Sequence, residues 1–274
     1  MKKIIALVDF SDTAANAAVF AGNLAEFYGA ELFLYHSYEV VIPITEYGYS
    51  YLSITEMQDA AEQEMETFKS RVQASLRRRI PISIKAENAS LMDGLAQFCE
   101  TIKPDLVAMG LSGTNLLSRL VVGTNTIRIM HHLKYPVLVV PPKATFVPVR
   151  KIGFACDYKK VLETTPVQPI KKLVQDFNAE LYVLNIEYNN TTTSAEKKIE
   201  SEIIIELLKD LKPSYQTIVA GDITIGINWF AQKEKIDWMV MIPKKHNLAE
   251  KMFGRSQTKE LLHHTHLPVL CMHE

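Results

Sequence analysis

The stretch KIIALVDF at residues 3–10 decides the fold, because it returns 148 positions later as KIGFACDY at residues 151–158. Other segments repeat at similar spacings: Gly29–Leu32 with Asn178–Leu181, spaced by 149, and His131–Leu138 with His263–Leu270, spaced by 132. Such long-range self-similarity indicates an internal duplication. We therefore predict two tandem domains, residues 1–146 and residues 147–274, of which the second is shorter in its middle.

Each half of the sequence alternates between strand-like and helix-like patterns. In the first half, short apolar runs predict strands at residues 4–8, 32–36, 80–85, 106–109 and 137–140. Capping residues and helix-forming residues predict helices from Ser11–Thr13 to about Tyr28, and over residues 55–79, 91–101 and 124–132. Strands that alternate with helices favour parallel sheets with right-handed crossovers. The expected fold class is therefore α/β, with two tandem, doubly wound, five-stranded parallel-sheet domains.

The composition restricts the classes of partner and the compartment. The 274 residues carry 30 basic and 31 acidic side chains, so the net charge of −1 offers no attraction for nucleic acid or for an anionic membrane. No segment approaches the roughly 20 apolar residues that span a bilayer. The three cysteines are too few and too scattered for a disulfide framework. We expect a cytoplasmic protein with reduced thiols.

A group of glycines follows the predicted fourth strand. Gly110 comes directly after residues 106–109, Gly113 lies three positions further on, and Gly123-Thr124 opens the next predicted helix. Glycine lets backbone N–H groups approach a phosphate, and a helix N-terminus attracts anions. The pattern is neither a Walker loop nor the dinucleotide fingerprint. Considered alone, it leaves two interpretations open, a set of turns or a phosphate loop.

The same residues resemble a known family. The arrangement Gly110-x2-Gly113-x9-Gly123-Thr124 is similar to the nucleotide signature of the universal stress protein family. Residues 7–14 resemble the first strand and turn of that family, and residues 136–140 resemble its last strand. The resemblance extends over essentially the whole chain as two tandem domains. It implies an adenine-nucleotide α-hydrolase-like fold, binding of ATP or a related adenine nucleotide, and a role in stress response.

The resemblance also implies a binding site, residue by residue. It puts Asp9 against the nucleoside and the backbone of Ser37 against adenine. The residues it assigns to the phosphate loop are Gly110, Gly113, Gly123 and Thr124, with the N–H of Asn125 beside them. Mg²⁺ would enter only with the nucleotide. One departure is Glu87, which stands in a segment where the family often has Gly-x-Pro and adds bulk and negative charge.

The second half lacks the glycine pattern. Ile242, Lys245 and Arg255 stand where the first half has glycines, and Pro243 removes an N–H donor. Two interpretations remain open for this half. It is a domain kept for packing, or it carries a new anion site made of basic and polar side chains. The residues of that alternative site are Lys244, Lys245, His246, Arg255 and Ser256.

The expected function is nucleotide binding with little or no catalysis. No general base or arginine finger is evident, so any ATP hydrolysis would be slow. The open alternative is an interaction scaffold that binds no physiological nucleotide. The histidine pairs at residues 131–132 and 263–264 are predicted as solvated helix ends rather than metal ligands, because adjacent helical side chains diverge.

The resemblance finally implies a strand pairing inside the chain. Last strands of single-domain relatives often pair antiparallel between two copies. Duplication would bring residues 137–140 and 269–272 together in one chain, and a homodimer stays open.

Overall fold

The computed structural model describes residues 1–39, 54–111, 123–188, 195–243 and 255–273. The chain divides into two compact units, Met1–Gly110 and Leu111–Glu274. Within the described residues, no helix is both long enough and apolar enough to cross a membrane.

The first unit holds a parallel sheet of four strands in the order β3-β2-β1-β4. Its elements are β1 (Lys3–Leu7), α1 (Asp12–Tyr28), β2 (Glu31–Tyr38), α2 (Ile54–Ser75), β3 (Ile82–Asn88), α3 (Leu91–Ile102) and β4 (Leu106–Gly110). Strands β1 and β4 are almost entirely buried. This burial on both faces explains why their sequences are continuous apolar runs.

The second unit holds six strands in the order β5-β10-β9-β6-β7-β8. Its elements are α4 (Thr124–His132), β5 (Val137–Val140), β6 (Lys151–Ala155), α5 (Val161–Thr164), α6 (Val167–Phe177), β7 (Glu180–Tyr188), α7 (Ala195–Leu208), β8 (Ser214–Ala220), α8 (Ile223–Glu234), β9 (Trp238–Met241), α9 (Arg255–His264) and β10 (Val269–Cys271). The β5–β10 pair is antiparallel, with Leu138 opposite Leu270, whereas the other described pairs are parallel. The predicted α/β class is confirmed, and the antiparallel pairing expected of these two strands is present. The domain boundary at residue 146 stays a prediction.

Equivalent hydrogen bonds recur in the two repeats. Asp105 Oδ2 accepts from the backbone N–H groups of residues 2–3 at 2.5 and 3.0 Å. Asp237 Oδ2 accepts from those of residues 150–151 at 2.7 and 2.9 Å. In each repeat, an aspartate before one strand therefore binds the start of its neighbour, so the duplication extends to individual contacts.

Two predicted elements of the first unit differ most from the structure. Helix α2 ends at Ser75 rather than residue 79, because the Gln73 side chain bonds Arg78 O and Ile80 N at 3.2 and 3.4 Å and so stabilises a turn. Strand β3 covers residues 82–88 rather than 80–85, since its pairing with β2 continues to Asn88. The segment that contains Glu87 is consequently part of the sheet.

Candidate functional site

The turn after β1 holds Asp9 in a defined orientation. Asp9 is exposed, and its Oδ1 accepts from Ser11 N at 3.0 Å and from Ser11 Oγ at 2.5 Å. Ser11 in turn caps α1, because Ala14 N donates to Ser11 Oγ at 3.2 Å. Among the described residues, no side chain or backbone donor binds Asp9 Oδ2. The carboxylate is therefore fixed through one oxygen and presents the other for a further hydrogen bond.

The side chains of Phe10 and His36, which were not predicted as site residues, support this turn. Phe10 adopts a left-handed conformation with φ of 61°, which is sterically unfavourable for a bulky residue. Its ring packs on His36 and Phe68, with centroid distances of 4.6 and 5.9 Å. The His36 Nδ1 lies 2.7 Å from Val8 O, and since a carbonyl only accepts, Nδ1–H is the donor. These contacts hold the ends of β1 and β2 together.

Ser37 lies inside β2, where it is opposite Glu87 of β3. The Glu87 Oε2 accepts from Tyr35 Oη at 3.0 Å, and Lys85 Nζ lies 3.8 Å from Glu87 Oε1. Burial, followed by the hydrogen bond and charge of Glu87, raises the pKa of Tyr35. The Glu87 carboxylate is thus engaged by Tyr35 and Lys85, an arrangement that the sequence alone did not indicate.

Gly110 is the buried last residue of β4. A Cβ atom at this position would lie 2.6 Å from Thr13 O and 2.7 Å from Thr13 C, distances that real Cβ atoms do not reach. Glycine is therefore required here for the first turn of α1 to approach the end of β4. Packing within the first unit is a sufficient explanation for this glycine.

Gly123, Thr124 and Asn125 form the start of α4 in the second unit. Gly123 is the N-cap, with φ of −62° and ψ of 147°, an extended conformation open to any residue. Thr124 and Asn125 are exposed. Within the part of the chain that the structure describes, no side-chain hydrogen bond caps the start of α4. Gly113, the remaining predicted loop glycine, lies outside the described residues.

The second repeat preserves the turn but not its exposure. Lys159 N donates to Asp157 Oδ1 at 3.2 Å, as Ser11 N donates to Asp9 Oδ1 in the first repeat. Tyr158 has a φ of 51°, close to the 61° of Phe10 in the first repeat. Asn185 Nδ2 donates to Cys156 O at 2.7 Å, which reproduces the contact of His36 with Val8. Asp157, however, is only 7% exposed.

Ile242 occupies the position that corresponds to Gly110. It is buried and lines a gap of about 10 Å³ together with residues 154–157, Thr164 and Thr165. The structure therefore has a side chain where a phosphate cradle would need open backbone. Lys244, Lys245 and His246 of the alternative anion site lie outside the described residues, as do the side chains of Arg255 and Ser256.

The described histidines and cysteines show no metal-site geometry. Among the described residues, no three His, Cys, Asp or Glu side chains form a group that could hold a metal ion. The prediction of a solvated helix end is wrong for His131, which is 7% exposed because it faces the interior of its unit, whereas His132 is exposed. All three cysteines are buried, and none of them forms a disulfide.

Comparison with known proteins gives one family and one fold. The model of the universal stress protein family matches residues 1–141. No curated protein matches the sequence significantly. A universal stress protein from Archaeoglobus fulgidus DSM 4304 is 14% identical, with a TM-score of 0.72 over 99% of this chain and 98% of that one.

Two further solved structures are similar. A functionally unknown protein from Pseudomonas aeruginosa PAO1 is 14% identical, with a TM-score of 0.62 over 99% of this chain and 92% of that one. A universal stress protein solved in complex with cAMP is 20% identical over 52% of this chain and 98% of that one, and its TM-score of 0.39 supports no argument about ligands. At these identities, the full-length similarities show the fold alone.

Proposed function

Because the chain belongs to the universal stress protein family, we propose that its first repeat binds ATP or a related adenine nucleotide in a stress response or in signalling. The binding residues would be Asp9, Ser37, Gly110, Gly113, Gly123, Thr124 and Asn125. Mg²⁺ would be present only as the ion bound to the nucleotide phosphates.

The observation that carries this proposal is the orientation of Asp9. Its Oδ1 is held by two donors of Ser11, whereas Oδ2 receives no bond from the described residues. A fixed carboxylate with one open oxygen is suited to accept from ribose hydroxyls, because the geometry is set before the ligand arrives.

The start of α4 supports the phosphate part of the proposal. Its N-cap is Gly123, and no side-chain hydrogen bond from the described residues caps the start of this helix. Unoccupied donors and the positive end of the helix dipole favour an anion such as phosphate.

We further propose that binding occurs with little or no catalysis. Efficient phosphoryl transfer requires a positioned base or an arginine finger in addition to phosphate contacts. The sequence assigns no residue to either role, so hydrolysis, if measured, should be slow. The protein would then act through a change of conformation or of partner when the nucleotide binds.

Isothermal titration of ATP and Mg²⁺ into the full chain tests the site. Asp9→Asn removes the charge-assisted acceptor, and Gly123→Ser adds a hydroxyl that competes for the first N–H groups of α4, so each should weaken binding about tenfold. Serine is a good N-cap, so Gly123→Ser should leave thermal unfolding unchanged. Asp157→Asn, the matched change in the second repeat, should leave ATP affinity unaltered. A wild-type chain that binds no ATP, or a Gly123→Ser chain that binds as tightly as wild type, contradicts the proposal.

One observation favours the alternative of an interaction scaffold. The close approach of the Thr13 backbone already requires a glycine at position 110, whether or not a ligand binds there. A scaffold should be purified without nucleotide and should show no thermal shift when ATP is added. Copurified adenine nucleotide would exclude this alternative.

A further inference from the structure

Helix α8 carries two large apolar side chains on its exposed side. Ile225 is 68% exposed and Trp229 is 51% exposed, and residues four apart in a helix are neighbours on its surface. Lys233 continues this line by one more turn, with its Nζ 4.9 Å from the centre of the Trp229 ring. Single exposed apolar side chains are ordinary on a protein surface, whereas an adjoining pair that includes a tryptophan indicates a contact site.

The equivalent helix of the first repeat, α3, is polar at the same two places. Each of the two helices is capped by a side chain that accepts from the backbone N–H three residues further on. Counted from these caps, Asp93 corresponds to Ile225 and Gln97 corresponds to Trp229, and both residues of α3 are exposed. The fold of the repeat therefore does not require apolar side chains here, so packing within the repeat does not explain them.

Opposite charges stand at the two ends of this apolar pair. Asp222, the N-cap of α8, precedes Ile225, and Lys233 follows Trp229. Along the helix axis these two charged residues are about 16 Å apart. The midpoint between them lies between positions 227 and 228, and the midpoint of the apolar pair is position 227. These four residues, which we call the α8 stripe, thus have an apolar centre, an acidic end and a basic end.

We propose that the α8 stripe binds a second copy of the chain, with the two α8 helices antiparallel across a two-fold axis. An axis through the middle of the stripe puts Ile225 against the partner's Trp229. The same axis puts Asp222 against the partner's Lys233. A two-fold interface must be self-complementary, and the stripe fulfils this condition in both polarity and charge. A different partner would have to supply this complement, whereas a second copy already carries it.

The contact should be weak, because one pair of helices buries less than the roughly 1,600 Å² of a standard interface. We expect a dissociation constant of about 10–100 µM. Sedimentation equilibrium of the full chain without nucleotide, from about 5 to 500 µM, should show a monomer–dimer equilibrium. A chain that is still monomeric at the highest concentration overturns the inference. Because no nucleotide is added, this result is independent of the function proposed for the first repeat.

A matched pair of variants locates the contact. Trp229→Gln gives α8 the residue that α3 has at this place, and it should weaken dimerisation at least about tenfold. Ile199→Gln changes an apolar side chain that is 59% exposed on α7, and it should leave dimerisation unaltered. Both side chains are exposed, so thermal unfolding should stay close to that of wild type. A Trp229→Gln chain that dimerises as tightly as wild type overturns the inference.

The charged ends of the stripe test the antiparallel arrangement. Lys233→Glu puts a carboxylate against the partner's Asp222 and should weaken dimerisation about fivefold at low salt. Asp222→Asn removes the acidic charge but keeps a good N-cap, and in this background Lys233→Glu should weaken dimerisation less than about twofold. The lost contact between Lys233 and Trp229 is common to both backgrounds and cancels. An equal effect of Lys233→Glu in the two backgrounds overturns the proposed pairing.

Discussion

At the scale of single residues, Gly110 and Gly123 are glycines for different reasons. A Cβ at Gly110 would collide with the Thr13 carbonyl at 2.6 Å, whereas the φ of −62° at Gly123 is open to any residue. The backbone of the second unit therefore does not demand glycine at position 123. The case for a phosphate contact rests more on Gly123 than on Gly110.

Gly110→Ala should destabilise the protein by about 1–3 kcal/mol, because the new methyl group must displace the backbone of α1. Gly221→Ala is the matched control, since a Cβ at that position meets no atom within 4 Å. The control should change the free energy of unfolding by less than about 0.5 kcal/mol. Urea denaturation of both variants gives the comparison, and equal losses would refute the packing explanation of Gly110.

At the scale of elements, the antiparallel β5–β10 pair joins the last strands of the two repeats within the second unit. Leu138 and Leu270 are opposite each other in this pair, and both are buried. These short strands are entirely apolar and would be an exposed, association-prone edge if unpaired. Their pairing within one chain covers this edge.

Leu270→Ala should lower the free energy of unfolding by about 2–5 kcal/mol, because it opens a cavity in a buried layer. Leu162→Ala makes the same chemical change at a side chain that is 69% exposed. That control should stay within about 0.5 kcal/mol of wild type. Chemical denaturation measures both, and a small effect of Leu270→Ala would show that the pair contributes little to stability.

At the scale of the whole molecule, burial of thiols and phenols links stability to alkaline pH. Burial, with a smaller effect of Glu100, raises the pKa of Cys99 from 9.0 to about 12. Burial, with a smaller effect of Cys156, raises that of Tyr215 from 10.0 to about 12. The unfolded chain therefore releases these protons at a lower pH than the folded chain does.

The free energy of unfolding should consequently fall as pH rises from about 9 towards 12, since the unfolded state then binds fewer protons than the native state. Urea titrations near pH 8 and near pH 10.5 measure the decrease. Cys99→Ala removes one of the linked groups and should make the decrease smaller. A free energy of unfolding that is constant between these pH values would contradict the assignment.

Part of the candidate site could be predicted from the sequence, and part could not. The helix cap at Ser11 could be predicted, because a capping residue before a helix has a local signature, whereas Asp9 was assigned by the family resemblance. The hydrogen bond from Tyr35 to Glu87 could not be predicted, since it joins residues 52 positions apart through the register of β2 and β3. The left-handed Phe10 was not predictable either, because phenylalanine rarely adopts this conformation.

The sequence by itself determined the α/β class and the duplication, because periodicity and internal repetition are properties of the chain alone. The pairing of residues 137–140 with 269–272 was implied by the family resemblance. The tertiary structure decided which glycine is needed for packing, that Glu87 is engaged by Tyr35 and Lys85, and that the buried Ile242 lines a narrow gap beside Asp157. The physical reason is that these features depend on distances between residues far apart in sequence, which exist only once the strands have been brought into register.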